Sequence, residues 1–441
     1  MMPPEGLKRS SEREISPPPA KRKAAATTTQ KAVANFFKPA SSKVPDKIHF
    51  QTFQRSLVVG RCEGATTIPR PKPTKIAAFD LDDTIIKTKS AKKFSLGPDD
   101  WQWWHACVPA KLKQLHEDGY AVVFVSNQNA ISLTPDSKTG GDMKAYMNFK
   151  AKVTAVFKNL DLPITLYAAT EKDLNRKPRT GMWDQVLKDY GLEVLRDSSF
   201  FVGDAAGRTG DKSANVRKDH SCSDRDFAAN VGIAFHTPEE FFLDEEVKPF
   251  TRPFCPSAYL AGIEESQTDP VVFRKANELD VVLLCGSPGA GKSTFYWQHM
   301  KSLGYGRVNQ DLLKTREKCL KMATQLLQEK QSVAVDNTNA DIETRSAWIT
   351  LAAKLGVPCR LVHFTAPAKL CEHNATVRAL SSEKQMNPED RMLLPKMAFN
   401  SFTSRYREPK LEEGFQDITE VAFVFEGNED QKAQWEKYWI N

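Results

Sequence analysis

The chain has 441 residues, 40% of them hydrophobic and 10% aromatic, enough for two or three domains with sizeable cores. No apolar run reaches the length of a membrane span and the polar N-terminus lacks a secretory h-region. The eight cysteines show no CxxC or Cys/His zinc spacing, which points to reduced thiols inside a cell. A net charge of +7 permits an acidic partner such as nucleic acid without naming it.

Up to Asp46 the chain is rich in Pro, Ser, Thr, Ala and Lys and poor in aliphatic residues. Such a composition cannot bury enough surface to fold, so residues 1–47 are expected to be a disordered tail. Two islands stand out in it. Pro17-Pro18-Pro19-Ala20-Lys21-Arg22-Lys23 resembles a nuclear localisation signal, which implies a nuclear protein; a solvated charge run is the alternative. Gln30-Lys31-Ala32-Val33-Ala34-Asn35-Phe36-Phe37 resembles the sliding-clamp (PCNA) interaction motif. One helical turn would place Val33, Phe36 and Phe37 on a single apolar face able to enter a groove, with Gln30 as a polar anchor. Two adjacent phenylalanines in a polar tail have no core to join, so the expected partner is either a clamp or the protein's own domains.

Residues 48–250 read as an α/β domain. In IAAFDLDDTII (Ile76 to Ile86) an apolar strand ends in Asp80-x-Asp82-x-Thr84, the first motif of haloacid-dehalogenase-like (HAD-like, Rossmannoid) phosphotransferases. The first carboxylate attacks phosphorus; the second protonates the leaving alkoxide and later activates water. A second buried strand, Ala121 to Val125, leads into Ser126, placed to hydrogen-bond the phosphoryl group. Lys177 is the expected cation balancing nucleophile and phosphate. Phe200-Phe201-Val202 leads to Asp204, which with Asp80 and the Asp82 carbonyl would hold Mg²⁺. Helices are expected over Val108 to Glu117 and Met143 to Leu160, and strand–helix alternation implies a parallel sheet with these residues at its C-terminal edge. The cluster of Trp101, Trp103 and Trp104 reads as core rather than as a base-stacking platform.

Prolines 248, 253 and 256 mark the start of a second domain, residues 251–441. Val281 to Leu284 form a buried strand, and Gly286 to Ser293 match G-x-x-x-x-G-K-[ST] ahead of helix-compatible sequence, the P-loop of nucleotide-binding proteins. Gly286, Ser287, Gly289, Ala290, Gly291, Lys292, Ser293 and Thr294 are the candidate ATP-phosphate contacts. Lys292 would reach the β- and γ-phosphates, and the Ser293 hydroxyl would complete a Mg²⁺ shell. Asp311 ends the next strand, where a kinase needs a carboxylate to deprotonate an attacking hydroxyl. Val333 to Val335 lead to Asp336, a Walker-B-like or substrate-side group. Lys384, Arg391 and Lys396 read as a solvated helix face, with a mobile lid or a DNA-facing patch as the alternatives.

The segments FDLDDTII, VSNQ, RKPRTGMWD, FFVGDAAGR and CSDRDFAANVGI resemble the phosphatase half of the bifunctional polynucleotide kinase 3′-phosphatases. VDNTN, GVPCR and PKLEEGF resemble the kinase half. The resemblance implies a HAD-like phosphatase domain followed by a P-loop NTPase-type kinase domain. Asp80 and Asp82 would act on 3′-phosphates, and Asp311 on 5′-hydroxyls of DNA, with ATP and Mg²⁺ and in a monomer. It makes Arg378 either a lid arginine on the ATP phosphates or a surface residue, and Asp224 either a support for the metal site or a surface cap. Asp83 stands where the family usually has glycine, Gln310 where many relatives have arginine, and HNAT replaces an HNNR-type segment. Animal members carry an N-terminal FHA domain, and nothing similar is expected before residue 48. An RNA end-healing enzyme and a clamp-bound scaffold with degenerate sites are the alternative readings.

Overall fold

A computed structural model describes residues 48–62, 74–129, 131, 133, 141–191, 193–210, 218–260, 273–381, 383 and 386–440. The clamp-like motif (Gln30, Val33, Phe36, Phe37), the basic cluster 17–23 and Lys384 lie outside the described residues.

The first half builds a seven-stranded sheet. Its strands are β1 (Ile48–Phe53), β2 (Leu57–Cys62), β3 (Lys75–Phe79), β6 (Tyr120–Asn127), β7 (Thr165–Ala169), β8 (Phe200–Val202) and β9 (Ala234–His236); β4 (Ile86–Lys87) and β5 (Gln102–Trp103) form a small separate hairpin. The order across the sheet is β1-β2-β7-β6-β3-β8-β9. The strands from β7 to β9 are mutually parallel, while β1 and β2 are antiparallel additions at one edge.

Strands buried on both faces read as unbroken apolar runs, and alternate side chains enter opposite cores. Ala77, Phe79, Val122 and Phe124 face helices α1 (Val108–Glu117) and α2 (Gly141–Leu160) through Leu112, Val153 and Phe157. Ile76, Ala78, Ala121 and Val123 face α3 (Gly181–Tyr190) and α4 (Ser223–Val231) through Met182, Trp183 and Phe227. Trp101, Trp103 and Trp104 pack against the first of these cores. A short helix, α5 (Pro238–Leu243), follows β9 and starts with a capping box between Thr237 and Glu240.

The second half forms a five-stranded, wholly parallel sheet in the order β11-β12-β10-β13-β14. These are β10 (Val281–Cys285), β11 (Gly306–Val308), β12 (Val333–Asp336), β13 (Cys359–Phe364) and β14 (Ile418–Val421). Helices α6 (Lys292–Phe295), α7 (Gln310–Leu313), α8 (Arg316–Gln328), α9 (Ile342–Lys354), α10 (Ala368–Leu380) and α11 (Lys396–Arg405) connect and cover it. In both sheets the strand carrying the first motif lies inside the sheet, with connections leaving to either side. β3 sits between β6 and β8, and β10 between β12 and β13. Crevices at such switch points, beyond the strands' C-terminal ends, are where α/β folds bind ligands.

The C-terminal helix α12 (Glu429–Trp435) and the residues after it join the two halves. Trp435, Trp439 and Ile440 share a small core with Leu370 and Val377 of α10. The Tyr438 amide donates to Asn230 Oδ1 of α4 at 2.8 Å, and Arg179 Nε donates to the Trp439 carbonyl at 3.2 Å. His373, fully buried, stands behind this seam with Nε2 donating to the Trp435 carbonyl at 2.8 Å, and burial pulls its imidazole down to about 4. Above pH 6.5 the ring is neutral in both folded and unfolded chains, and stability is indifferent to it. As pH falls from 6.5 towards 4 only the unfolded chain takes up the proton, which removes up to about 3 kcal/mol of stability. Urea midpoints measured across that window will drop more steeply for the parent than for His373→Gln; equal slopes would refute the assignment.

Candidate active sites

At the first sheet edge β3 hands over to Asp80, whose amide donates to the Val202 carbonyl of β8 at 2.8 Å. The chain then curls so that Asp83 takes a φ of 59° and donates its amide to the Ile86 carbonyl at 2.7 Å. Left-handed backbone favours glycine, with aspartate among the few tolerated alternatives, which accounts for the residue type at this departure from the family pattern.

Lys177 is the centre of the site. Its ammonium is 1% exposed and lies 2.6 Å from Asp80 Oδ1, 2.8 Å from Asp224 Oδ1 and 2.7 Å from the Val125 carbonyl, so all three of its hydrogens have acceptors. Asn127 holds the Lys177 backbone from both sides: the amide donates to Asn127 Oδ1 at 2.9 Å, and Asn127 Nδ2 donates to the Lys177 carbonyl at 3.1 Å. Burial would lower the ammonium's pKa, but Asp224 and Asp80 outweigh it and hold it above the usual lysine value.

Asp80, Asp204 and Asp224 bring carboxylate oxygens within 4.8 Å of one another. Asp224 comes from the first turn of α4 and approaches so closely that a Cβ on Gly203 would stand 2.4 Å from its Oδ2. Three acids face one ammonium, and burial first, then their mutual repulsion, raises two of the carboxyls. Burial lifts Asp80 to about 7, with Lys177 opposing and Asp224 adding, and lifts Asp204 well above the carboxylate range, with Asp224 and Asp80 adding. Hard oxygen donors with unbalanced negative charge fit Mg²⁺. Asp224 thus stands inside the cluster, beside the ammonium rather than at a surface cap.

The Asp82 carboxylate is held away from this cluster. Lys152 of α2 lies 2.8 Å from its Oδ1, and Gln128 Nε2 donates to its Oδ2 at 2.7 Å and to Ser126 Oγ at 3.0 Å. Neither Lys152 nor Gln128 was expected from sequence. A trace of Lys152 was there, because it lies beside Val153 and one turn after Phe149 on the buried stripe of its helix. On the opposite flank, Arg208 pairs with Asp219 and Glu239 and donates Nη2 to the Asp204 carbonyl at 3.1 Å.

At the second edge the loop between β10 and α6 turns on Gly289 and Gly291, with φ of 82° and 94°. A Cβ on Gly289 would sit 2.1 Å from the Cys371 carbonyl oxygen. Lys292 is buried, donates to the carbonyls of Gly286 at 2.8 Å and Ser287 at 2.7 Å, and is lowered by burial to about 8. Ala290 is buried, Thr294 exposed, and Ser287 Oγ has no hydrogen-bond partner among the described residues. Ser293 Oγ donates to Asp336 Oδ2 at 2.8 Å, which puts Asp336 on the P-loop side.

Arg307 Nε also donates to that Asp336 oxygen, at 2.8 Å, and Asn309 Nδ2 donates to the Asp336 carbonyl at 2.6 Å. Asp311, at the start of α7, is 75% exposed and pairs with Arg391 at 3.0 Å. Arg378, in the last turn of α10, is half-buried, its Nε without a partner among the described residues; burial first, then Arg391, lowers its pKa. Arg391 therefore does not lie on a solvated helix face. It sits in the loop before α11 and faces the site, a placement no local pattern signals.

These arrangements define two phosphoryl-transfer sites on one chain: a HAD-like aspartate site and a P-loop site. Comparison with known proteins agrees. The family model described as polynucleotide kinase 3 phosphatase matches residues 75–242, and a model described as AAA domain matches residues 281–409. A bifunctional polynucleotide phosphatase/kinase of Schizosaccharomyces pombe is 43% identical over 83% of this chain and 84% of its own. A polynucleotide 3′-phosphatase of Arabidopsis thaliana is 34% identical over 40% of this chain and 25% of its own. One of Saccharomyces cerevisiae is 29% identical over 38% of this chain and 87% of its own. The chain belongs to the bifunctional polynucleotide phosphatase/kinase family.

Proposed function

We propose that this enzyme repairs the ends of broken DNA strands, removing 3′-phosphates with residues 48–250 and phosphorylating 5′-hydroxyls with residues 251–441. The observation that carries the reading is Lys177, buried between Asp80 and Asp224, on the same chain as a P-loop whose Ser293 meets Asp336. In the first reaction Asp80 attacks the 3′-phosphate while Lys177 favours its ionised form. Asp82, oriented by Lys152 and Gln128, gives a proton to the departing 3′-oxygen. It then takes one from the water that splits the aspartyl phosphate, releasing inorganic phosphate and restoring Asp80. Ser126 would bind a phosphoryl oxygen. Mg²⁺, held by Asp80 and Asp204 with Asp224 beside them, would neutralise charge on the phosphate.

In the second reaction Asp311 takes the proton of the 5′-hydroxyl as its oxygen attacks the γ-phosphate of ATP, and ADP leaves. The backbone from Gly286 to Thr294, with Lys292, Ser293 and Arg378, would hold the nucleotide phosphates and the Mg²⁺ bound to them. Products bearing 3′-hydroxyl and 5′-phosphate suit a ligase.

On a nicked DNA duplex with 3′-phosphate and 5′-hydroxyl termini, Asp80→Asn will lose 3′-dephosphorylation by about 10³-fold or more and keep 5′-labelling from ATP; Lys292→Ala will do the reverse. Loss of both activities in either variant, or faster processing of the matching RNA ends by the parent, would overturn the reading.

The tail completes the proposal. Gln30, Val33, Phe36 and Phe37 would dock on a sliding clamp (PCNA), and the basic cluster 17–23 would direct the protein to the nucleus. The parent will bind the purified clamp in solution, whereas a Phe36→Ala, Phe37→Ala variant will bind at least about tenfold more weakly. Equal binding by the two would remove the clamp from the account.

A further inference from the structure

The loop between α10 and α11 carries an acid with no part in either reaction. Glu389 Oε1 accepts from Arg307 Nη1 at 2.7 Å and from Trp297 Nε1 at 2.9 Å; Oε2 accepts from Arg391 Nε at 2.9 Å and Nη2 at 2.7 Å. These donors hold the carboxyl at about 2 despite the opposing effect of burial. Asn387 shapes the loop around it, taking the Arg391 amide on Oδ1 at 2.8 Å and donating Nδ2 to the Arg391 carbonyl at 2.9 Å.

The two arginines are committed to the kinase machinery by their other nitrogens. Arg307 Nε is on Asp336, the partner of the Ser293 hydroxyl. Arg391 Nη1 is on Asp311 at 3.0 Å and its Nη2 is 3.4 Å from Ser293 Oγ, so one guanidinium spans the P-loop and the acceptor-side carboxylate. A phosphoryl group passing from ATP to a 5′-hydroxyl crosses that span. Glu389 takes the Nε/Nη2 edge of Arg391, the forked face with which arginine grips phosphate as readily as carboxylate. The pairing also keeps Arg391 on Asp311, which has to be free to accept a proton.

We propose that Arg307 and Arg391 form a phosphate-binding subsite of the kinase site, and that Glu389 fills it as an internal anion until a substrate phosphate displaces it. The subsite rests on the kinase reading above. The displacing group is a phosphate from one of two sources, the terminal phosphate of ATP or the phosphodiester next to the 5′-hydroxyl. With a doubly held carboxylate as competitor, an incoming phosphate gives up part of its binding energy to expel Glu389. With Gln310 beside Asp311, the guanidinium at the acceptor carboxylate comes from Arg391, eighty residues away in sequence.

The test is calorimetric titration of the full chain, in one arm with a non-hydrolysable ATP analogue plus Mg²⁺ and in the other with a 5′-hydroxyl DNA duplex. Glu389→Gln removes the competing charge and keeps the loop's size, so it will tighten at least one ligand by about tenfold. The arm that responds names the source, and a response in both means that the two phosphates share the subsite. Glu389→Ala will tighten the same ligand, and Arg391→Gln will weaken it. In the Arg391→Gln background only the Arg307 pairing is left to release, so adding Glu389→Gln will tighten the ligand by less than it does in the parent, whereas loss of a loop anchor would weaken binding in both backgrounds. A parent that binds both ligands, with affinities that Glu389→Gln leaves unchanged or weakens, overturns the subsite alone. A parent that binds neither overturns the kinase reading with it.

Discussion

One buried ammonium organises the phosphatase half. Lys177 has three hydrogens and three acceptors, two of them carboxylates, in a place almost without solvent. An unpaired charge at such depth is prohibitively costly, so the lysine and the acids stand or fall together. The surrounding structure serves that placement. Asn127, at the end of the central strand β6, grips the lysine's backbone on both sides, and Gly203 leaves the space that Asp224 fills. Yet one ammonium cannot balance Asp80, Asp204 and Asp224, and their clustered oxygens fit a divalent cation.

The second site follows a different electrostatic plan. Its acids are each matched by an arginine: the buried Asp336 by Arg307 of β11, the exposed Asp311 by Arg391 of the loop before α11, and Glu389 by both. The aspartate site holds its nucleophile by buried contacts, whereas the P-loop site must admit two substrates. The halves are also physically joined near the first site. Asn230 donates to the carbonyl of Pro178, next to Lys177, and to that of Tyr438 near the end of the kinase half, each at 2.8 Å.

What the sequence made legible was local. Asp80 and Asp82 lie two residues apart at a strand end, and Gly286 to Ser293 form one loop, so each pattern carries its own geometry. The apolar runs Ile76–Phe79 and Val281–Leu284 announced the sheets because parallel strands are buried on both faces. Contacts across long stretches of chain were not legible. Lys152 reaches Asp82 over 70 residues, and Arg391 reaches Ser293 over 98. Arg391 looked like an ordinary surface charge because nothing beside it in the chain shows the acids it meets. Asp224 was singled out by the family resemblance alone, which left it a support for the metal site or a surface cap; only the fold brings it beside Asp80 and Asp204.

If the surplus of carboxylates over the Lys177 ammonium holds a cation, an ion will bind among Asp80, Asp204 and Asp224. Crystals soaked in Mn²⁺ as a Mg²⁺ surrogate, with anomalous scattering collected near the manganese edge, test it most directly. A peak is expected among Asp80, Asp204 and Asp224, with Lys177 still paired to Asp80. Saturating Mn²⁺ with no peak there, or Lys177 displaced by the ion, would contradict it.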